Sequence, residues 1–76
     1  MQRKDATQIQ TVGNLGHAIS QRRKALGMTQ AQLSSLSGIA QPNLSNLERG
    51  MADGRLETYL KICALVGIDL LAVPRS

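Results

Sequence analysis

From Val12 onward the apolar residues Leu15, Ala18, Ile19 and Leu26 recur at helical spacing on one face, which predicts a helix from about Val12 to Ala25 ended by Gly27. Arg22, Arg23 and Lys24 fall in its last turns, where positive charge complements the helix dipole. Before this helix the chain is polar and without period. Residues 1–10 read as a flexible tail that carries Arg3 and Lys4.

The second helix has the clearest local start in the chain. Thr29 followed by Gln32 forms a capping box, and Met28 against Leu33 fits a hydrophobic staple. The helix therefore begins at Thr29 and runs to about Ser37, where Gly38 can take the left-handed conformation that stops it. Only Gly38, Ile39 and Ala40 separate it from the next pattern, QPNLSNLERG. Proline is tolerated in a first helical turn, so Pro42 fixes the start of the third helix and Gly50 its stop. Two short helices joined by a tight glycine-containing turn have helix-turn-helix geometry. On the third helix Leu44 and Leu47 point inward, while Gln41, Pro42, Ser45, Asn46 and Arg49 share the outward face.

After a loop at residues 51–54, Leu56, Tyr59, Leu60, Ile62, Cys63, Leu65 and Val66 form a fourth helical pattern. It is too apolar to be covered on one side only. Gly67 ends it, and residues 68–73 (IDLLAV) are a short run of strand formers closed by Pro74. The expected fold is all-α: residues 11–67 as a small four-helix domain, followed by a C-terminal strand within 68–76. A lone strand cannot satisfy its own backbone groups in a helical domain, so the same segment of a second copy is the expected partner. Leu65, Val66, Ile68, Leu70, Leu71 and Val73 would form the dimer contact, with residues 9–11 as the weaker choice of pairing strand.

Composition supports this economy. A chain of 76 residues buries only about 60% of the surface its unfolded form exposes. Its one aromatic residue, Tyr59, leaves an aliphatic core that a partner copy would reinforce. No apolar run approaches the roughly 18 residues of a membrane span, and the first ten residues lack a secretory apolar stretch, so the default expectation is a cytoplasmic protein. Cys63 is the single cysteine, which excludes an internal disulfide and a cysteine-based zinc site; it reads as a small core hydrophobe. His17 has no carboxylate or cysteine at ligand spacing and reads as a surface residue. The glycines read as helix ends, neither GxxxxGK nor HExxH occurs, and the acids are scattered, so no catalytic site, metal or cofactor is expected.

Charge changes the picture more. Nine Lys and Arg against five Asp and Glu give a net charge of +4. No acid occurs between Asp5 and Glu48. A stretch so free of acids and so rich in Gln, Asn and Ser is composed as a surface that lies against phosphates would be.

With GMTQAQLSSLSGIAQPNLSNLERG placed as helix, turn and helix, the chain resembles the phage repressor and Cro-type helix-turn-helix family over roughly residues 15–67. The pattern LETYLKICALVGIDLLAVPR is most similar to HipB-like antitoxins. The resemblance implies a DNA-binding repressor that inserts its third helix in the major groove, autorepression of a toxin–antitoxin operon and binding of a HipA-like toxin kinase. Gln30 matches a residue that touches phosphate and braces the first Gln of the recognition helix. Gln41 matches that brace partner and reader of adenine, with which Gln pairs bidentately at N6 and N7.

Ala40, Pro42, Asn43 and Ser45 match further base-facing positions, Pro42 offering only apolar contact to a thymine methyl. Thr29, Asn46, Arg49, Arg22 and Lys24 are the phosphate candidates beside Gln30. The family pairs the acid at Glu48 with the Arg at position 23, which implies an Arg23–Glu48 bridge. Ala40 departs from the pattern, since relatives often place a capping Ser or Thr there, worth about 1 kcal/mol. Two such subunits would read half-sites of a near-palindrome about 10 bp apart. The rival reading is an adaptor that uses the same fold to hold a toxin or a transcription factor, with DNA binding incidental. The polar Gln41, Ser45, Asn46 face favours DNA, because an adaptor would place apolar anchors there.

Overall fold

The computed structural model describes residues 6–51 and 54–75. Arg3, Lys4 and the rest of residues 1–5, two residues of the 51–54 loop and Ser76 lie outside the described residues. Four helices follow in order: α1 Val12–Ala25, α2 Gln30–Ser37, α3 Gln41–Glu48 and α4 Leu56–Val66.

Each boundary has a local cause. At α1 the Thr11 hydroxyl accepts from the Asn14 N–H at 3.0 Å, and the Asn14 side-chain oxygen accepts from Thr11 N–H at 3.2 Å and Gln10 N–H at 2.9 Å. Asn14 thus does the work a Glu or Gln does in the usual box. At α2 the expected box forms, with Thr29 Oγ1 accepting from Gln32 N–H at 3.0 Å and Gln32 Oε1 accepting from Thr29 N–H at 2.8 Å. Thr29 is the cap and Gln30 the first helical residue. Gly38, at φ 75°, closes α2 by donating to the Ser34 carbonyl. The turn is held from inside by two serines: Ser34 donates to the Ile39 carbonyl, and Ser37 Oγ accepts from Ile39 N–H at 3.2 Å. Ala40 precedes α3 without a side-chain cap, and Pro42 stands in the first turn. Gly67, at φ 72°, ends α4, and the Gly67 and Ile68 N–H groups both donate to the Cys63 carbonyl.

The helices close on Leu15, Ile19, Leu33, Leu44, Leu47, Tyr59, Ile62, Cys63 and Val66, with Met28, Ile39, Leu65 and Ile68 packed partly against them. Met28 therefore joins the cluster that contains Leu33, as a staple requires. Leu26 does not join: it caps the end of α1 and is 47% exposed. Cys63 is buried as a core hydrophobe, and burial pushes its thiol pKa up.

Two expectations change. Not every glycine marks a helix end, because Gly13 and Gly16 lie inside α1. A Cβ at Gly16 would overlap the Leu47 carbonyl oxygen, and one at Gly50 would lie 2.6 Å from the Gly13 Cα. Here the backbones of α1 and of the α3 end touch, and only glycine permits it. Val66, expected at the dimer contact, is fully buried within its own chain and belongs to the core. The residues after it differ: Leu70, Leu71 and Val73 are 37%, 65% and 78% exposed. Residues 68–75 follow an irregular path, and the described residues contain no strand. None of the described helices is long and apolar enough to cross a membrane.

Candidate nucleic-acid interface

The α2, turn and α3 unit is held by one buried carboxylate. Arg23 on α1 donates from Nε to Glu48 Oε2 at 2.8 Å and from Nη2 to Glu48 Oε1 at 2.9 Å, a two-pronged pairing of planar groups. The same guanidinium donates from Nη1 to the Met28 carbonyl at 2.8 Å, just ahead of α2. Gln30 on α2 donates from Nε2 to Glu48 Oε1 at 3.1 Å. Three helices thus converge on the last residue of α3. The Arg23 and Glu48 side chains are only 8% and 4% exposed.

Burial alone would push the Glu48 carboxyl upward. Hydrogen bonds from Arg23, Gln30 and Ser20, with the Arg23 charge, more than reverse this and hold it below the ordinary glutamate value. Arg23 moves the opposite way, raised mainly by its hydrogen bond to Glu48 against the cost of burial. The one acid of the helix-turn-helix is therefore neutralised within the fold.

With the carboxylate turned inward, the outward face of α3 is uncharged until its end. Ala40, Gln41, Pro42 and Asn43 are exposed in succession, and Ser45 and Asn46 are half-buried. Arg49, beyond the last turn, donates from Nη2 to Asn46 Oδ1 at 2.8 Å. A guanidinium can only donate, so the oxygen of Asn46 must face it and the amide N–H groups point elsewhere. Asn46 is thereby set to donate to an acceptor such as a phosphate oxygen. Thr29 is exposed at the start of α2, and Lys24 is exposed near the end of α1.

Two candidate residues also make bonds within the fold. Gln30 donates one side-chain N–H to Glu48, which leaves its second N–H and its carbonyl oxygen for other partners. Arg22 donates from Nε to the Val66 carbonyl at 2.9 Å, so its guanidinium caps the end of α4. Neighbours on a helix point about 100° apart, which is how Arg22 serves α4 while Arg23 serves α3. The capping bond, the Gln30–Glu48 bond and the two turn serines were not read from sequence. Of these, only the serines ahead of Gly38 leave a local signal, since Ser side chains commonly satisfy turn backbone.

Comparisons with known proteins agree with this geometry. The family model described as "Helix-turn-helix" matches residues 19–73. An uncharacterized HTH-type transcriptional regulator of Haemophilus influenzae is 44% identical over 52 residues, which are 68% of this chain and 53% of that protein. The chain spans about half the length of this curated relative. Among solved structures, a HipB variant in complex with an O2 20mer superposes at a TM-score of 0.81 with 26% identity, covering 95% of this chain and all of the other. A HipA–HipB–O2–O3 complex contains a chain that superposes at 0.80 with 25% identity, covering 93% of this chain and all of the other. The matched segment runs through every element that builds the exposed α3 face, and the chain belongs to the helix-turn-helix family.

Proposed function

We propose that the protein is a homodimeric, sequence-specific DNA-binding repressor that lays α3 in the major groove, and that it serves as the antitoxin of a HipBA-like pair. The observation that carries the reading is the Glu48 clamp, which fixes α2 against α3 and leaves an exposed α3 face without an acid. The relative's name as a transcriptional regulator and the HipB structures with 20mers and with HipA support it. Gln41, Pro42, Asn43, Ser45 and Ala40 are the base-facing set. Thr29, Gln30, Asn46, Arg49, Arg22 and Lys24 are the phosphate-facing set; Arg22 is exposed and engages α4 through Nε, which leaves its Nη donors for a phosphate.

Replacing Gln41 tests the base-reading half. Gln41→Ala is expected to weaken specific binding by about 1 to 3 kcal/mol and to relax preference at one position per half-site, with non-specific binding nearly intact. Titration of operator and random duplexes at fixed salt measures both. Equal losses on the two would show that Gln41 does not read bases.

The two-fold assembly is tested at the C-terminus. Leu70, Leu71 and Val73 leave apolar surface exposed in a run whose backbone has no ladder partner among the described residues, and pairing with a second copy would cover both. Deleting residues 68–76 is expected to yield monomers and to weaken operator binding by about 10²- to 10⁴-fold at low concentration, the avidity supplied by the second linked half-site. Mass measurement in solution checks this; a truncated dimer with undiminished binding would show that the interface lies elsewhere.

A further inference from the structure

Helix α4 keeps a second apolar edge at the surface. Its inner face, Tyr59, Ile62, Cys63 and Val66, is buried in the core. Leu56 and Leu60 are nevertheless 65% and 46% exposed, and Ala64 follows them in the open. Residues four apart form one ridge along a helix, so these three make a continuous apolar line about 12 Å long. Single apolar residues are ordinary on a surface, but a ridge through successive turns marks a place where something packs. None of the residues assigned to DNA lies on α4.

The rim of the ridge identifies what covers it. Glu57 and Lys61 stand one position after Leu56 and Leu60 and so line the same side of it. Both are exposed; Glu57 has only the exposed Arg55 at 3.7 Å, and Lys61 has no ion pair among the described residues. An antiparallel copy of α4, related by a two-fold axis across the contact, lays each flank on its own counterpart with the chain direction reversed. With Leu60 on the axis, Leu56 meets the partner's Ala64, large against small. Glu57 comes opposite the partner's Lys61, and symmetry makes this pair twice. A parallel copy would set the charged flank against the opposite, uncharged one.

We propose that the Leu56, Leu60 and Ala64 ridge docks a second copy of this chain, through an antiparallel α4–α4 contact rimmed by Glu57–Lys61 pairs. The contact is separate from the pairing assigned to residues 68–76 and does not depend on it. Three small apolar side chains per copy fall well short of the roughly 800 Å² per partner of a stable standard interface. The contact is therefore weak, and it doubles the mass of the species present at low concentration only when the protein is concentrated.

Sedimentation of the full chain from micromolar to millimolar concentration tests the proposal, with the mass expected to double toward the upper end. Leu60→Glu is expected to abolish the doubling. Glu57→Lys sets lysine against lysine and is expected to raise the concentration needed about tenfold. Combining Glu57→Lys with Lys61→Glu is expected to restore the parent's behaviour, because opposite charges then meet again. Thermal midpoints at low concentration check that each variant is folded, and the two charge changes decide the matter where Leu60→Glu loses its fold. A mass that never doubles, or a doubling that survives Leu60→Glu, would overturn the proposal. So would a double variant that associates no better than Glu57→Lys, since the ridge would then meet some other surface.

Discussion

Glu48→Ala is expected to unfold a large fraction of the protein at temperatures where the parent is folded. The substitution leaves the Arg23 guanidinium buried without its carboxylate and strips Gln30 of its acceptor. Removing one partner of a buried pair costs about 3 to 5 kcal/mol, because the remaining charge stays desolvated. Small domains have total stabilities near the low end of about 5 to 15 kcal/mol, so most of the margin goes. Urea unfolding followed by circular dichroism measures the loss. Arg23→Met combined with Glu48→Leu is expected to lose less than the two single changes added, since apolar groups can occupy the site without an orphaned charge. Strict additivity would mean that the two side chains do not act as a pair.

The same clamp gives stability a pH dependence of known sign. The folded Glu48 carboxyl titrates below its ordinary value, so the folded state holds its proton less tightly than the unfolded chain. Its contribution is complete above the unfolded value, about 4.3, and is lost as pH falls through the lower folded value. The thermal midpoint of the parent should therefore drop more steeply below about pH 4.3 than that of Glu48→Gln, which has no charge to lose. Parallel profiles would assign the acid sensitivity to other carboxyls.

How much of this was legible in the sequence depends on whether the cause was local. The α2 box at Thr29 and Gln32, the αL stop at Gly38, the first-turn Pro42 and the Gly67 stop are each fixed by a few neighbouring residues, and the structure places them where the sequence reading does. The Arg23–Glu48 bridge was legible only through family resemblance, since 25 residues separate its ends. The Gln30–Glu48 bond was not legible, because 18 residues separate the two and only the packed helices bring them together. Nor was the split between Arg22 and Arg23, adjacent in sequence but aimed at different helices. Helical period alone placed Val66 on an apolar face. Whether that face meets its own chain or a partner depends on tertiary packing, and it meets its own chain.

Gly16→Ala is the second change expected to have a large effect, and its sign runs against the usual rule. Alanine in the middle of a helix is ordinarily better than glycine by about 0.5 to 1 kcal/mol. Gly16 lies in the second turn of α1, buried against the end of α3. The new Cβ would overlap the Leu47 carbonyl oxygen and crowd the Glu48 carbonyl oxygen at 3.2 Å. Both obstacles are backbone, so no side-chain rotation relieves them. Relief requires α1 and α3 to separate, which opens the Leu15, Ile19, Leu44 and Leu47 contacts and pulls Arg23 from Glu48. Overpacking of this kind costs about 1 to 3 kcal/mol and more where the backbone must move, enough to outweigh the helical gain. The expected result is a net loss of about 2 kcal/mol together with weaker operator binding, because displaced α3 carries the base-facing residues with it. Gly27→Ala is the matched control: it has φ +72° but nothing within 4 Å of its Cβ, so it strains the backbone without touching α3. Comparison of urea midpoints and duplex affinities for the two variants separates the mechanisms. If Gly16→Ala raised the midpoint, the close approach of α1 to α3 would not exist in solution.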